Sequence, residues 1–325
     1  MIGLVALVLV ILVSLLYATL CVLIRFNFKQ YAFESSTLPA IAILLPCRNE
    51  AENLPECLQA LEAIDYPADK VRFLVADDHS EDKTLNILQA WVNKAANRTL
   101  VPLIKRPEKG ENGKAKALEE MAKQVKSGLM VFTDADCVVP ASWCLALAKV
   151  YREEYGLVTG ITTVGGSSLF ARMQALDWWL TLGKVKVVSD IGYSLTAMGN
   201  NMVMGRAAYQ HSGGFGRVIK DVTEDLAMSI VLYNQGYRPI HLVNKESLVR
   251  TKPEKTVRNL LQQRKRWMRG AFLLSLVWQL LLGLQVAFYA GLLVSLYFIP
   301  WWTVIFWLIK IIFQSIFIHT FASKT

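Results

Sequence analysis

Two carboxylates separated by one residue follow a short apolar run in the middle of the chain. Asp134 and Asp136 come directly after Val131-Phe132-Thr133. Carboxylate oxygens are hard ligands that suit Mg²⁺ or Mn²⁺, and such a metal also binds diphosphate oxygens. The same spacing fits a helix cap beside a surface acid, but its place at a predicted strand exit favours a metal site. We predict that Asp136, together with Asp134, binds a divalent metal that neutralises a leaving diphosphate.

A second acidic pair and a lysine also stand at the ends of predicted elements. Asp77 and Asp78 lie between an apolar run and a predicted helix, so one is expected to cap that helix. The other can accept hydrogen bonds from a base or a ribose. Lys114 follows Asn112-Gly113 at a helix start, where the helix dipole attracts anions such as a diphosphate. The glycine spacing does not match a P-loop, and a solvated helix start is the alternative.

Two further acids open a later predicted helix. Thr223 can cap this helix, which leaves Glu224 and Asp225 in its first turn. The helix dipole favours acids there in any protein, so a structural role is the alternative. As catalytic groups, Asp225 can act as a general base for an attacking hydroxyl, with Glu224 beside it. Attack opposite a leaving diphosphate inverts the configuration of the reacting carbon.

A basic helix near the second apolar block carries Gln263, Arg266 and Trp267. Their spacing of three and four residues predicts that they share one helix face. Arginine can bind phosphate, glutamine can hydrogen-bond a sugar, and tryptophan can stack on a sugar ring. A basic interfacial helix with a tryptophan anchor is the alternative, and both roles are compatible.

The segments that carry these residues alternate between short apolar runs and helical periodicity. The predicted strands are 41–45, 71–75, 100–104 and 129–132, and the predicted helices are 53–64, 80–91 with Ser80 as its cap, and 114–125. This alternation predicts an α/β fold with a mostly parallel sheet covered by helices. Ligands of such sheets bind beyond the carboxyl ends of the strands. The groups expected to line that crevice are Arg48-Asn49-Glu50, Asp77-Asp78 and Asp134-Ala-Asp136.

The hydrophobic residues, 54% of the 325, are concentrated at the two ends of the chain. Residues 1–24 are uncharged, and residues 271–309 form a second uncharged run. A span needs about 20 apolar residues, so we predict one span at the N-terminus and two that meet near Pro300. An interfacial helix plus one span is the alternative for the second run. The first run lacks a preceding basic residue and a cleavage site, which favours an anchor over a signal peptide.

The positive charge is also localised. Of the net +9, a large part lies between Arg250 and Gly270, which hold eight Lys/Arg and one Glu. This segment is expected to face anionic lipid headgroups. Nucleic acid is not an expected partner, because no base-reading module is visible. Arg25 and Lys29 follow the first span and place the central region in the cytoplasm by the positive-inside tendency. Five cysteines without a C-x-x-C pair, with four scattered histidines, support neither a zinc site nor disulfides.

These patterns divide the chain into four predicted parts. They are a membrane anchor at 1–24, an α/β catalytic domain at 38–250, a basic interfacial helix at 251–270 and two transmembrane helices at 271–321. An amphipathic helix is predicted from Leu169 to Ile191, and its Trp178-Trp179 pair is expected to pack rather than to bind sugar.

The ordered set of motifs resembles the family 2 glycosyltransferases of the GT-A fold. The closest resemblance is to their membrane-integrated branch, which includes cellulose synthases, hyaluronan synthases and ceramide glucosyltransferase-like enzymes. The residues that carry it are Pro46-Cys-Arg-Asn-Glu50, Asp77-Asp78, Asp134-Ala-Asp136, Thr223-Glu-Asp225 and Gln263-Arg-Lys-Arg266-Trp267. The resemblance implies a Rossmann-like nucleotide-diphospho-sugar transferase fold with flanking transmembrane helices.

The resemblance also implies roles for individual residues. Glu50 and Asp77 or Asp78 would contact the nucleoside, Lys114 the diphosphate, Asp134 the ribose or metal-bound water, Asp136 the metal, and Asp225 would be the base. Gln263, Arg266 and Trp267 would close over the donor diphosphate and line the acceptor entrance. Gly199-Asn200-Asn201 would lie on the acceptor side. The implied cofactor is Mg²⁺ or Mn²⁺, and the implied donor is a UDP-sugar.

The function expected from all of this is inverting, metal-dependent transfer of a hexose or N-acetylhexosamine. The acceptor would be a lipid, a lipid-linked sugar or a glycan at the cytoplasmic face of the cell membrane. A processive polysaccharide synthase subunit is one alternative, which the small number of spans weakens. A non-catalytic scaffold is another alternative. The presence of both Asp136 and Asp225 argues against it. A nucleotidyltransferase is a third, against which the Gln-x-x-Arg-Trp group argues. Because the chain ends soon after its last apolar run, a truncated C-terminus is expected.

Overall fold

The computed structural model describes residues 1–31, 37–126, 128–194 and 197–325. Its strands are β1 Ile41–Cys47, β2 Val71–Asp77, β3 Arg98–Leu100, β4 Leu129–Phe132, β5 Cys137–Val138, β6 Leu157–Thr159, β7 Thr162–Val164, β8 Met202–Gly205, β9 Ile240–His241 and β10 Val249–Thr251. Its α-helices are α1 Ile2–Phe26, α2 Leu54–Glu62, α3 Thr84–Val92, α4 Gly113–Ala122, α5 Trp143–Val150, α6 Leu169–Asp190, α7 Arg206–Ser212, α8 Gly214–Arg217, α9 Glu224–Asn234, α10 Val257–Gly270, α11 Leu276–Phe298 and α12 Pro300–Ala322. Short 3₁₀ turns occupy Glu153–Tyr155, Lys245–Ser247 and Ala271–Leu273.

Seven strands form the central sheet, in the order β3-β2-β1-β4-β8-β6-β9. All of them run in the same direction except β8, which is antiparallel to β4 and β6. The predicted α/β fold with a mostly parallel sheet is therefore confirmed. Because β1 pairs in parallel with β2 and with β4, the carboxyl ends of these three strands lie at one edge of the sheet.

The sheet is buried on both faces, as expected for strands that read as continuous apolar runs. Alternate residues of β1 serve different cores. Ile43 and Leu45 pack into the layer beneath α2, α3 and α5. Leu44 packs on the opposite face with residues of α4, α7, α8 and α9. A second sheet, in the order β5-β10-β7, places the segment before α10 next to the strand that follows Asp136.

The start of α3 differs from the sequence prediction. Its N-cap is Lys83 rather than Ser80. The Ser80 hydroxyl instead accepts a hydrogen bond from the Asn49 N–H at 2.9 Å, and the Ser80 N–H donates to Asp77 Oδ2 at 3.1 Å. Because these bonds hold Ser80 in the loop between β2 and α3, its hydroxyl does not cap the helix. For the same reason Asp77 closes a turn and caps no helix among the described residues.

The strand predicted at residues 100–104 is also displaced. β3 covers Arg98–Leu100 and pairs with Phe73–Val75 of β2. The regular strand ends before Pro102, which has no N–H to donate to a sheet ladder. The helix predicted at 114–125 is shorter and runs from Gly113 to Ala122. The strand predicted at 129–132 is confirmed.

Three helices of the described residues are long and apolar enough to cross a membrane, namely α1, α11 and α12. The predicted division near Pro300 is confirmed, because Pro300 is the first residue of α12. Helices α1 and α12 run parallel. Ser14 Oγ donates to the Phe306 carbonyl and Cys21 Sγ to the Phe313 carbonyl, both across a separation of 292 residues.

Helix α11 runs in the opposite direction to α1, since a Cβ at Gly3 would meet Phe298 and one at Gly291 would meet Leu9. The end of α1, the start of α11 and the end of α12 therefore lie at one end of the bundle. Helix α6 covers that end, where Gly183 packs against Phe317 so closely that a Cβ would lie 2.8 Å from its ring. The α/β domain thus sits at a single end of the three helices.

Candidate active site

Lys114 connects three of the segments that the sequence singled out. Its ammonium lies 2.6 Å from Asp134 Oδ1 and 3.2 Å from Glu224 Oε1. The first turn of α4 fixes this lysine, because the Asn112 side-chain carbonyl accepts hydrogen bonds from the N–H groups of Lys114 and Ala115. Asn112 Nδ2 also donates to Glu224 Oε2 at 3.0 Å. The start of α4 therefore holds β4 and the first turn of α9 together.

Asp225 lies on the same side of this group. Its Oδ2 accepts a hydrogen bond from the Gly199 N–H at 2.9 Å, and its Oδ1 accepts one from the Leu226 N–H at 2.8 Å. A Cβ at Gly199 would lie 3.1 Å from Asp225 Oδ2 and 3.3 Å from Lys114 Nζ. The absence of a side chain at Gly199 thus lets the backbone reach the carboxylate beside the lysine.

The charges of this group shift one another. Burial and the charge of Glu224 raise the pKa of Asp225 to about 6, although Lys114 opposes the shift. Burial would lower the pKa of Lys114, but Asp134, Glu224 and Asp225 outweigh it and raise that pKa well above its usual range. A carboxylate with a pKa near the working pH suits a general base, because it is mostly free to accept a proton and still holds it well.

The other two carboxylates respond differently to the same lysine. Burial raises the pKa of Asp134, and Asp136 adds to this while Lys114 opposes it. Burial would also raise the pKa of Glu224, but Lys114 and hydrogen bonds from the backbone and Asn112 outweigh it and lower that pKa. Glu224 is therefore a stably charged anchor for Lys114, and this arrangement favours Asp225 over Glu224 as the group that exchanges a proton.

Asp136 is held by the small sheet. Thr251 Oγ1 of β10 donates to Asp136 Oδ2 at 2.9 Å, and the Cys137 thiol lies 3.3 Å from Asp136 Oδ1. Glu50 accepts a hydrogen bond from Asn53 at 2.8 Å. Burial raises the pKa of Glu50, and the charges of Asp136 and Asp134 add to this. These three carboxyl groups therefore belong to one electrostatic neighbourhood at the ends of β1 and β4.

The described carboxylates can supply some, but not all, of the ligands of a divalent metal. Among the described residues no group of three or more His, Cys, Asp or Glu side chains is arranged to hold a metal by itself. Magnesium, however, commonly takes one or two protein carboxylates and completes its shell with water and substrate phosphates. Asp134 and Asp136 supply hard oxygens of that kind, so the pair suits a metal that is bound together with a diphosphate.

The end of β2 forms the neighbouring wall of the crevice. Asp78 is buried and accepts from Arg48 Nη1 at 3.4 Å, with His79 Nδ1 at 3.3 Å. A Cβ at Gly113 would clash with the Asp78 carboxylate, so β2 approaches the start of α4 directly. Asp77 Oδ1 is buried without a hydrogen-bond partner in the part of the chain that the structure describes. Such an acceptor is costly unless a ligand satisfies it.

The three residues predicted on one face of the basic helix α10 have different contacts. Gln263 Nε2 donates to Glu254 Oε1 at 3.0 Å, and Trp267 packs edge-on against Trp178 with ring centres 5.5 Å apart. Arg266 is exposed and makes no hydrogen bond or ion pair with the residues described here. Gln263 and Trp267 therefore contact α6 or the loop before α10, whereas Arg266 has no such contact among the described residues.

The end of α10 does reach the predicted catalytic segment. A Cβ at Gly270 would clash with the Thr223 side chain, so the Gly270 backbone and that side chain are in close contact. Thr223 is the N-cap residue of α9 by position, but its side chain makes no cap hydrogen bond. Its Oγ1 is buried without a partner among residues 1–31, 37–126, 128–194 and 197–325. The predicted side-chain cap is therefore wrong, because the hydroxyl is turned into the contact with Gly270.

Two positioning residues were missed in the sequence. Asn112 was passed over as a cap, although Asn immediately before a helix that starts Gly-Lys is a recognisable signal. Thr251 could not have been found, because it lies 115 residues from Asp136 and no local pattern links them. Trp178 and Trp179 pack as expected, against Trp267 and Phe321.

Comparisons with known proteins agree with this architecture. The sequence profile described as "Glycosyltransferase like family 2" matches residues 39–270, which is more than half of the chain. The chain is 25% identical over 248 residues to the beta-monoglucosyldiacylglycerol synthase of Synechocystis sp., covering 74% of this chain and 50% of the relative. It is 24% identical over 244 residues to the poly-beta-1,6-N-acetyl-D-glucosamine synthase of Staphylococcus epidermidis, covering 73% and 56%. The chain thus spans little more than half the length of these relatives.

A similar fold occurs in a solved structure. The mannosyltransferase PcManGT from Pyrobaculum calidifontis, solved in complex with GDP-Man and Mn²⁺, superposes with a TM-score of 0.69 at 21% sequence identity. The match covers 91% of this chain and 84% of that one. At this level of identity the similarity concerns the fold, and it extends beyond the α/β domain to most of the chain.

Proposed function

We propose that this chain, which belongs to the family 2 glycosyltransferases with the GT-A fold, transfers a sugar from a nucleotide-diphosphate donor to a lipid or glycan acceptor. The donor is a UDP-sugar, and the sugar is a hexose or an N-acetylhexosamine. The transfer inverts the anomeric carbon and takes place at the cytoplasmic face of the cell membrane.

One observation carries this proposal. Lys114 joins Asp134, at the end of β4, to Glu224 and Asp225, at the start of α9, in a single group at the carboxyl edge of the sheet. A positive charge flanked by a predicted metal-binding carboxylate and a predicted base is the arrangement that sugar transfer from a diphosphate requires. In this proposal Lys114 and the metal-binding carboxylate Asp134 face the leaving group, and Asp225 faces the acceptor hydroxyl.

The donor is held by the ends of the first strands. The nucleoside is received by Asp78, by Glu50 and by Asp77, whose buried Oδ1 has no hydrogen-bond partner among the described residues. Lys114 exchanges part of its ion pairing with Asp134 for the diphosphate. Gln263, Arg266 and Trp267 contribute from α10, which moves over the donor to do so. Of these, Arg266 is exposed and the most readily available to phosphate oxygens.

Asp225 acts as the base. Its carboxylate, oriented by the Gly199 N–H, takes the proton from the acceptor hydroxyl as that oxygen attacks the sugar. In this proposal the base and the diphosphate act on opposite sides of the reacting carbon, so the displacement inverts its configuration. Glu224 stays charged and keeps Lys114 in place.

Asp136 and Asp134 would hold Mg²⁺ or Mn²⁺, which when bound neutralises charge on the leaving diphosphate. Their hard carboxylate oxygens support this assignment, and Mn²⁺ accompanies the donor in the PcManGT complex. Thr251 orients Asp136 for that role.

The acceptor is proposed from the membrane helices and from the relatives. Helices α1, α11 and α12 cross the membrane, and the α/β domain sits at the end of the bundle where Arg25 follows α1. A lipid acceptor agrees with the beta-monoglucosyldiacylglycerol synthase among the relatives. A processive synthase subunit remains the second candidate, because poly-beta-1,6-N-acetyl-D-glucosamine synthase is also a relative. Product length separates the two.

The test is nucleoside diphosphate release by the purified full chain in detergent, with a panel of nucleotide sugars, membrane lipid extract and Mn²⁺. We expect release from one donor that depends on lipid and is lost in Asp136→Ala. The exposed Asp69→Ala variant serves as the control and should match the unmodified protein. If correctly folded protein releases no nucleoside diphosphate from any donor of the panel, a non-catalytic scaffold of the same fold is favoured.

A further inference from the structure

Two lysines meet between the predicted membrane helices. Lys310 lies near the middle of α12 and is only 9% exposed. A charged side chain inside a membrane span is costly and is usually retained for a function. Its Nζ lies 5.2 Å from the centre of the Tyr17 ring on α1 and 5.2 Å from that of Phe288 on α11. These aromatic faces attract the cation, but they do not neutralise its charge.

Lys310 has no acidic partner and no hydrogen-bond acceptor in the part of the chain that the structure describes. The second lysine increases the imbalance. Lys184 of α6 places its Nζ 5.5 Å from the centre of the same Tyr17 ring and donates to Gln285 Oε1 of α11 at 2.5 Å. Two cations from different helices thus converge on one tyrosine.

The acid whose charge acts on Lys184 does not compensate for the two lysines. Asp177 of α6 is paired with Arg264 of α10 at 2.5 Å. Burial lowers the pKa of Lys184 to about 8, Asp177 opposes that shift and Lys310 adds to it. With a pKa of about 8, Lys184 is still mostly protonated at pH 7. The space around Tyr17 therefore carries positive charge that the described residues leave unbalanced.

The depth of Lys184 and Lys310 in the membrane indicates which group could balance their positive charge. Because α1 and α12 are parallel with a separation of 292 residues between facing positions, Lys310 is level with residue 18 of α1. Residue 18 is eight residues from Phe26, the end of α1 nearest the α/β domain. At 1.5 Å per residue this depth is about 12 Å, and a lysine side chain can reach part of the way back to the interface. The ammonium groups therefore lie below the headgroups of one leaflet.

We propose that Lys184 and Lys310 bind the phosphate group of a membrane lipid in a site formed by α1, α6, α11 and α12. A phosphate supplies the negative charge that the two ammonium groups lack, and it accepts several charge-assisted hydrogen bonds at once. The Tyr17 hydroxyl and the Gln285 amide are further donors at the same place. The acyl chains extend along the exposed apolar faces of α11 and α12, where residues such as Leu293 and Ile312 are uncovered.

This inference rests on the proposed membrane location but not on the proposed sugar transfer. The lipid would lie against α6, which also contacts α10 through Asp177 and Trp178. It would therefore stand next to the helix whose end packs on Thr223. The bound lipid is a structural partner or the acceptor itself, and both share the phosphate chemistry.

Native mass spectrometry of the full chain in detergent tests the site. The probes are dioleoylphosphatidic acid, dioleoylglycerol with the same chains but no phosphate, and inorganic phosphate alone. We expect saturable binding of the phosphatidic acid and at least about tenfold weaker binding of the other two. Equal binding of dioleoylglycerol, or displacement of the phosphatidic acid by inorganic phosphate at similar concentration, would refute a lipid-phosphate site.

Substitutions locate the site. Lys310→Met and Lys184→Met should each weaken phosphatidic acid binding by about fivefold or more, since each lysine near a membrane surface contributes on the order of 1 kcal/mol. Lys310→Arg should retain binding, which separates loss of charge from misfolding. Lys324→Met, near the end of α12, is the matched control and should bind normally. Binding is measured without a sugar donor, so failure of this site and failure of the proposed catalysis give different results. Unchanged binding in both methionine variants would overturn the proposal.

Discussion

At the scale of single residues, the candidate site is organised by one cation among carboxylates. Lys114 holds Asp134 and Glu224 directly and acts on Asp225 through its charge. The same lysine therefore determines which carboxyl group is free to exchange a proton. Glu224 is fixed in its charged form, whereas Asp225 keeps a pKa near the physiological range.

This arrangement predicts the acid limb of the pH profile. The pKa of Asp225 is raised to about 6, so this proposed base is protonated and inactive below that pH and becomes available above it. We expect kcat/KM for sugar transfer to rise about fivefold from pH 5 to pH 6, to reach about tenfold its pH 5 value near pH 7, and to level off above that pH. The measurement is the initial rate at low substrate in buffers of constant ionic strength. A profile that is flat between pH 5 and pH 7 would exclude Asp225 as the titrating base.

Removing the lysine should change both the rate and the pH profile. Lys114 lowers the pKa of Asp225, so Lys114→Met should move the acid limb to higher pH. Loss of a charge at the diphosphate should also reduce kcat by roughly a hundredfold or more. Lys116→Met, two residues further along α4 and paired with Glu111, is the control and should leave both unchanged. A lower rate without any shift of the limb would mean that the lysine does not act on Asp225.

At the scale of the elements, the site depends on close contacts between glycine backbones and side chains of segments that are remote in sequence. The start of α4 touches the end of β2 at Gly113, and the loop before β8 touches the start of α9 at Gly199. The end of α10 touches that same helix at Gly270. Each contact occurs where a side chain would not fit, so the glycines fix how closely the elements approach.

A single methyl group tests one of these contacts. In Gly199→Ala the new Cβ would lie 3.1 Å from Asp225 Oδ2 and 3.3 Å from Lys114 Nζ, which forces the base or the lysine to shift. A displacement of this size at a catalytic group should lower kcat by about tenfold to a hundredfold, with little change in thermal stability. Gly216→Ala, whose nearest neighbour outside α8 would be 3.7 Å away, is the matched control. Equal kinetics for the two variants would show that the contact does not position Asp225.

The elements themselves were largely predictable, and their connections were not. Alternating apolar runs predicted β1, β2 and β4 because a sheet buried on both faces requires continuous hydrophobic strands. The prediction of Ser80 as a helix cap is wrong because its partner, the Asn49 backbone, is 31 residues away. The carboxylates were found by type and position, whereas the hydrogen bond from Thr251 to Asp136 depends on the small sheet. The common face of Gln263, Arg266 and Trp267 follows from helical spacing, but the contacts of Gln263 with Glu254 and of Trp267 with Trp178 depend on tertiary packing.

At the scale of the whole molecule, the α/β domain rests on one end of a three-helix bundle. The parallel α1 and α12 and the antiparallel α11 bring Lys29, the start of α11 and Lys324 to that end. Helix α6 forms the junction, since it packs on the bundle through Gly183 and on α10 through Trp178. A lipid acceptor would thus be presented close to the crevice without leaving the membrane.

This arrangement predicts which sites share a membrane side. A cysteine introduced by Lys29→Cys or Lys324→Cys should react with an impermeant maleimide from the side of the α/β domain only. Ile299→Cys, between α11 and α12, should react from the opposite side. The native cysteines are mostly buried and should give a low background. Labelling of position 324 from the same side as position 299 would contradict three crossings.

Sugar transfer by an Asp225→Asn variant is the first measurement to make, because the proposed reaction delivers the proton of the acceptor hydroxyl to that carboxylate. The measurement is transfer of a radiolabelled sugar from the active donor to extracted lipid, together with the dissociation constant of the nucleoside diphosphate. Asp69→Asn, an exposed site away from the crevice, serves as the control. We predict that Asp225→Asn lowers transfer by about a thousandfold or more, while nucleotide affinity changes by less than about threefold. Transfer that persists within tenfold of the unmodified protein would show that another group is the base and that the proposed role of the Lys114 cluster is wrong.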